Sequence, residues 1–215
     1  MTDPIETPQL RLWRGDFGAA YIDRNAPSGT MLASLVTMWS RMLERARPAP
    51  RRILEVGANV GLNLRALARV TEAELVALEP NAKARQRLVD DKVCTAVNVV
   101  EGVAQRIPLP DASVDLAFTA GVMIHIAPGD LAACCREMRR VARRHILCAE
   151  YFSAGPREIP YRGHDGQLFL RDFGRFWRES CPELKLLDYG FFWTGDGAAD
   201  DLTWWLFEIP EAVKA

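Results

Sequence analysis

A surplus of charge of either sign is missing from this 215-residue chain, in which 27 lysines and arginines face 28 aspartates and glutamates for a formal net charge of −1. Without excess cations there is no overall field to gather a polyanion by counterion release, which argues against nucleic acid as a partner. Long apolar runs are missing too. Nowhere do about 18 apolar residues follow one another, so no membrane span is expected. The opening MTDPIETPQL has neither the basic nor the apolar region of a secretory leader, and a cytoplasmic location is expected. Cysteine is sparse: Cys94, Cys134, Cys135, Cys148 and Cys181 are odd in number, form no CxxC pair and lack histidines at zinc spacing, so no metal is expected. Cys134 and Cys135 share a helical apolar pattern with Leu131, Met138 and Val141, where thiols serve as small core groups. Repeats, low-complexity tracts and linkers are also absent.

What remains is the composition of a soluble globular chain, 49% hydrophobic and 26% charged. The length suits one domain, 1–215, with 1–50 as a helical cap and 154–176 as an insertion on the substrate side. Leu32, Leu35, Val36, Trp39 and Leu43 recur at helical spacing and predict an amphipathic helix ended by Pro48 and Pro50. From ILEVGA onward, short β-branched runs alternate with helical patterns: strands at AELVALEP, AVNVVEG, VDLAFTAG and HILCAEYF, helices at LNLRALARV, AKARQRLVDD and 131–141. Such alternation predicts an α/β doubly wound sheet of Rossmann-like type, because parallel strands need helical crossovers. The region 154–175 breaks the rhythm and reads as a long loop. KLLDYGFFW and LTWWLFEI then read as an antiparallel closing pair, for seven mostly parallel strands in all.

The chemistry concentrates in Glu55-Val56-Gly57-Ala58-Asn59-Val60-Gly61-Leu62-Asn63, where the first strand stops and the first helix starts. Gly57 can take the angles of a tight turn, and Gly61 can let the chain approach a ligand closely. Open α/β sheets bind ligands at this end of their strands. Glu79, at the end of the second strand and followed by Pro80-Asn81, can take both hydroxyls of a ribose. The two pieces together suit a nucleoside. The GxGxxG spacing of a dinucleotide site is lacking, and so is the GxxxxGK[ST] phosphate loop, which disfavours a nicotinamide oxidoreductase and a nucleoside triphosphatase.

ExGxNxGxN at a strand end with an acidic second-strand end resembles the class I S-adenosylmethionine-dependent methyltransferases. The resemblance implies that Glu55, Gly57, Asn59 and Gly61 face the methionine portion of S-adenosylmethionine, that Glu79 beside Pro80 holds the ribose, and that Gly102, Val103 and Ala104 lie against adenine. That family often has Asp where Val103 stands, so adenine would rely on backbone amides here. Thr119 and Ala120 would lie near the sulfonium. The segments Trp13 to Asn25 and EYFSAGPREIPYRGHDGQLFLRDFG are further similar to methylases associated with pseudaminic acid biosynthesis. This implies methyl transfer to an oxygen or nitrogen of a small polar metabolite, such as a nonulosonic-type sugar or its precursor.

For several residues two readings stand side by side. Tyr21, Arg24 and Asn25 form either a lid whose Arg24 pairs the methionine carboxylate or a surface turn. His125 is either a proton acceptor or a structural histidine. Glu150 and Tyr151, ending the fifth strand, either point into the cleft as catalytic groups or, for Glu150, bind backbone amides. Tyr161, Arg162 and His164 sit in the polar and aromatic 157–165 stretch, read as substrate-binding. Trp177, Phe191, Phe192, Trp193, Trp204 and Trp205 are core or pocket wall, and the arginines from Arg136 to Arg144 a solvated helix face. Rival functions are an RNA or protein methyltransferase, which needs a basic groove or added module, and a silent protein that binds cofactor or partner without turnover.

Overall fold

The computed structural model of the chain describes residues 5–24 and 28–210. Among the described residues nine strands follow one another: β1 (Arg52–Val56), β2 (Glu74–Glu79), β3 (Val99–Glu101), β4 (Val114–Ala120), β5 (Ala142–Glu150), β6 (Arg157–Tyr161), β7 (His164–Leu170), β8 (Lys185–Phe192) and β9 (Leu202–Glu208). Seven of them build one sheet in the order β3-β2-β1-β4-β5-β9-β8, and β6 and β7 pair as a separate hairpin. β1 to β5 pair with one another in parallel, while β9 is antiparallel to both β5 and β8. The doubly wound sheet with its antiparallel closing hairpin is therefore as expected. β1, β4 and β5 are buried on both faces, which is why their sequences read as nearly continuous apolar runs.

Helices α3 (Gly29–Met42), α4 (Leu62–Leu67) and α5 (Ala82–Asp90) bring Trp39, Leu64, Leu67 and Leu88 to one face of the sheet, against Ile53, Leu116, Phe118 and Trp204. Trp39 has no exposed surface and meets the Phe118 ring edge-on at 4.4 Å. On the other face α6 (Leu131–Val141) and α7 (Phe173–Ser180) pack Cys134, Cys135, Met138, Phe173 and Trp177 over Leu54, Ala117, Ile146 and Phe207. Among the described residues no helix is long and apolar enough to cross a membrane.

Two regions differ from expectation. The 154–175 stretch, read as a loop, folds into β6 and β7 and then enters α7. The hairpin turns at Arg162 (φ 50°) and Gly163 (φ 85°), both left-handed, which matches the right-handed twist of the flanking strands. Arginine in the first of these positions is an uncommon turn signal, and β6 is too exposed to show apolar alternation. Ahead of α3, two further helices, α1 (Pro8–Arg14) and α2 (Asp16–Arg24), precede the one that periodicity revealed; Thr7 caps α1 by accepting from the Leu10 amide at 3.1 Å.

The seat of α7 on the sheet depends on one small residue, because a Cβ at Gly174 would collide with the Trp205 indole. Gly174→Ala is expected to cost about 1–3 kcal/mol through overpacking. The measurement is the thermal unfolding midpoint, with Gly155→Ala as control, since a Cβ there meets nothing within 4 Å.

Candidate active site

The parallel register sets Val56 opposite Leu78, and the chain leaving β1 stays tied to β2: the Gly57 and Ala58 amides both reach the Leu78 carbonyl, at 2.8 and 3.1 Å. The turn then passes through left-handed angles at Gly57 (φ 79°), Asn59 (φ 47°) and Gly61 (φ 73°), which glycine adopts without strain and asparagine tolerates. A Cβ on Gly57 would come within 2.8 Å of the Val122 side chain, so the first glycine is required by the loop after β4. The second has a different role from the one expected. A Cβ on Gly61 would meet Leu88 at 2.6 Å and Val93 at 2.8 Å, and Gly61 does not line the cleft. It serves packing of the loop on α5.

The Asn59 amide points at the Glu79 carboxylate (2.7 Å to Oε2), and the Asn81 amide reaches the other oxygen at 2.8 Å. Burial pushes the Glu79 carboxyl up, while these two amides and the Arg85 guanidinium oppose the shift. Asn81 also caps α5, its Oδ1 accepting from the Ala84 amide at 3.1 Å, and its Nδ2 donates to the Trp13 carbonyl at 2.9 Å. Glu55 is held differently. Its Oε1 accepts from Asn63 Nδ2 at 2.7 Å, Asn63 Oδ1 accepts from Trp39 Nε1 at 3.1 Å, and its Oε2 is buried without a partner. Burial drives the Glu55 carboxyl up to about 8, against the pull of Asn63.

These groups open on a single cleft at the carboxyl ends of β1, β2 and β4, lined also by Pro80, Gly102, Val103, Ala104, Ala120 and His125 and walled by Trp13, Gly18 and Tyr21 of the N-terminal helices. Asn59 Oδ1, like Glu55 Oε2, is buried there with no partner. Two unsatisfied polar atoms in an otherwise satisfied loop fit a polar ligand such as the methionine end of a nucleoside cofactor. The carboxylate of Glu79, anchored by amides, retains lone pairs for ribose hydroxyls. Gln105, Gly121 (φ 67°) and Val122 also line the cleft and were not singled out from sequence; the TAG ending of β4 was the available signal.

Three residues expected as cleft groups turn away from it. Glu150 has no exposed surface and does not line the cleft; its carboxylate accepts from the amides of Val122 (3.3 Å), Met123 (3.1 Å) and Ile124 (3.4 Å). Burial still lifts it to about 7. Its role is to hold the segment that carries His125. Thr119 is likewise fully buried, since strand alternation sends it inward and Ala120 to the cleft. Tyr151 donates to Asp200 Oδ2 at 2.7 Å outside the cleft, and burial together with that bond holds its phenol proton far above the ordinary range. It is unsuited to proton abstraction at neutral pH.

His125 is in the cleft. Its Nδ1 lies 2.6 Å from the Gln167 carbonyl of β7, which can only accept, so Nδ1 carries the proton and Nε2 the lone pair. Burial lowers the imidazole to about 4 and keeps it neutral at pH 7. Its ring packs against Trp13 (centroids 4.9 Å apart) and Tyr161 (4.7 Å), and Phe17 contacts both Tyr161 (6.0 Å) and His164 (5.4 Å). Thus Tyr161 and His164 reach the outer wall without lining the cleft, and Arg162 sits over the Tyr161 ring at the exposed hairpin tip. Arg24 is exposed at the end of α2, its guanidinium over Phe17 and Tyr21, and does not reach the cleft. Asn25 lies outside the described residues.

Two outcomes are expected of the buried carboxyls. Glu55 is protonated below about pH 8 in the free protein, and a cation brought to its open oxygen favours the carboxylate, so binding releases a proton. The affinity for S-adenosylhomocysteine should therefore rise from pH 6 to pH 8, by at most about tenfold per unit; calorimetry on wild type and Glu55→Gln checks that the slope disappears in the variant. Glu150→Gln replaces one acceptor oxygen by a donor facing backbone amides. It should lower thermal stability by about 1–3 kcal/mol, and lower turnover more than cofactor affinity.

A family model described as a methyltransferase domain matches residues 54–148. Among solved structures, the fold is shared by the Burkholderia thailandensis 1,6-didemethyltoxoflavin-N1-methyltransferase bound to its substrate and S-adenosylhomocysteine (TM-score 0.68, 14% identity, 98% of this chain and 94% of that one). It is shared equally by the Synechocystis magnesium protoporphyrin IX methyltransferase with bound S-adenosylhomocysteine (0.67, 11%, 94% and 98%). A complex between the Haloferax volcanii Trm112 methyltransferase activator and a methyltransferase gives 0.69, 14%, 92% and 97%. No curated protein sequence matches the chain. The matched residues run from Leu54 of β1 through the glycine loop and Glu79 to Cys148 of β5, so the part of the chain similar to a methyltransferase domain carries the strand ends that floor the cleft, and the fold is that of the class I S-adenosylmethionine-dependent methyltransferases.

Proposed function

We propose that the chain methylates an oxygen or nitrogen of a small polar metabolite, with a nonulosonic-type sugar or its precursor as the acceptor class that the resemblance of the 13–25 and 150–174 segments favours. The observation that carries the small-molecule reading is the outer wall of the cleft. Trp13, Phe17 and Tyr21 from α1 and α2 interlock with His125 and with Tyr161 and His164 of the β6–β7 hairpin, and Gln9 Nε2 donates to the Gly166 carbonyl at 2.7 Å. A wall of rings across the cleft leaves room for a compact acceptor and offers no basic groove for RNA. In this reading residues 1–50 supply the lid and the hairpin selects the acceptor.

When bound, S-adenosylmethionine supplies a methyl carbon already activated by sulfonium, which leaves with its electron pair on sulfur. The protein's task is then alignment, which contributes ~7 kcal/mol or more when the reacting atoms are held in line. Glu79 anchors one end of the cleft, Asn59 and Glu55 the other. His125 Nε2 accepts a hydrogen bond from the acceptor and takes its proton. An imidazole at about 4 is a weak base, yet an oxygen that has gained a methyl group is strongly acidic, so the proton moves late and a weak base suffices.

The experiment is chromatographic detection of S-adenosylhomocysteine and methylated product with a panel of sugars, amino sugars and small hydroxy acids, against RNA and protein controls. His125→Ala should lower kcat by about 10²-fold. Wild-type kcat should show no imidazole limb between pH 6 and 8, because the ring stays neutral there. Turnover of RNA or protein with none of any small acceptor sinks the proposal.

A further inference from the structure

A second groove opens beside the edge strand β8, apart from the nucleoside cleft and sharing no lining residue with it. The antiparallel register pairs Tyr189 with Trp205 and Phe191 with Thr203, so alternation puts these four side chains on one face of the sheet. α7 covers that face only as far as Gly174 against the Trp205 indole. Beyond it, Tyr189, Phe191 and Phe152 are 64%, 60% and 51% exposed around a Trp205 floor. Exposed aromatic rings gathered round a groove mark a binding surface more often than a neutral one.

The charged groups of the lining are all of one sign: Asp172, Asp200 and Asp201. Their positions are fixed by the fold. Asp200 accepts from the Tyr151 hydroxyl at 2.7 Å, and Asp201 Oδ1 accepts from the Thr194 amide and hydroxyl at 2.6 and 2.9 Å. Asp172 caps α7 through the Arg175 amide at 2.8 Å, and the exposed Arg175 guanidinium 3.8 Å away offsets part of its charge without lining the groove. Ring faces carry the negative lobe of the aromatic quadrupole, and fixed carboxylates at the rim add to it. That combination repels anions and favours a cation over a neutral molecule of the same shape. We infer that this groove binds the alkylammonium group of a small molecule, a site separate from the nucleoside cleft and independent of the methyl-transfer reading.

The test is calorimetric titration of the full chain with choline and with its neutral isostere 3,3-dimethylbutan-1-ol. Choline should bind about threefold or more tightly than the isostere, and the difference should shrink in high salt. Phe191→Ala and Tyr189→Ala, both at exposed edge positions, and Asp201→Asn should each weaken choline by about threefold or more, while the affinity for S-adenosylhomocysteine stays at the wild-type value in all three. Equal binding of the isostere, no choline binding into the tens of millimolar, or choline binding untouched by the two aromatic substitutions overturns the inference. Failure of the wild type to bind S-adenosylhomocysteine would bear on the methyltransferase reading alone.

Discussion

The hydrogen bond from the Asn59 amide to the Glu79 carboxylate is the contact on which the rest of the site depends. It exists because the β1–β2 register places the Leu78 carbonyl under the amides of Gly57 and Ala58, which starts a left-handed turn and aims the next amide at the end of β2. The same carboxylate takes the Asn81 amide, and the Asn81 side chain extends the tie to α5 and to the last turn of α1. One buried carboxyl group thus fixes the glycine loop, the start of a crossover helix and the position of the wall that faces them. Small displacements there would be felt across the whole cleft, because each partner has a single alternative, which is to lose its hydrogen bond in a buried place.

Three glutamates at neighbouring strand ends, Glu55, Glu79 and Glu150, show how differently the same residue can be employed. Burial raises the proton affinity of all three. Glu150 is surrounded by amides and faces no cleft, so its lone pairs are committed to holding the 122–124 segment. Glu79 is held by two amides but borders the cleft, which leaves it rigid and available. Glu55 has one side-chain partner and one bare oxygen, the least satisfied of the three. The desolvation cost of that bare oxygen is met when a ligand brings a positive group to it, so the least stable carboxylate is also the one with most to gain from binding.

The strands and crossover helices were legible in the sequence because burial on both faces writes itself as β-branched runs, and the Glu55–Asn63 loop because its glycines stand where a strand becomes a helix. Glu79 was legible for the same positional reason. Side-chain direction at strand ends was not. Whether Thr119 or Ala120 meets the cleft depends on the phase of the pleat, and whether Glu150 faces a ligand or a loop depends on a segment folding back over it. Gly61 looked like a ligand glycine and turned out to clear Leu88 and Val93, which are far along the chain. The β6–β7 hairpin was not legible because β6 buries little and the turn opens with arginine. What sequence missed was set by contacts between distant segments, and what it caught was set by local pattern.

The wall between α1–α2 and the β6–β7 hairpin belongs to that distant class, and its energetics bear on how an acceptor would enter. Its ring contacts join chain segments more than a hundred residues apart: Trp13 with His125 and Tyr161, Phe17 with Tyr161 and His164. Each such pair contributes about 0.5–1.5 kcal/mol beyond simple burial, so separating the hairpin from the helices costs a few kcal/mol, small enough for opening on the timescale of turnover. The same opening loosens His125, because its Nδ1 hydrogen bond runs to β7. Closure of the wall and orientation of the Nε2 lone pair are therefore one event, and in the proposed reaction an acceptor that lets the rings close over it also completes the geometry for its own deprotonation.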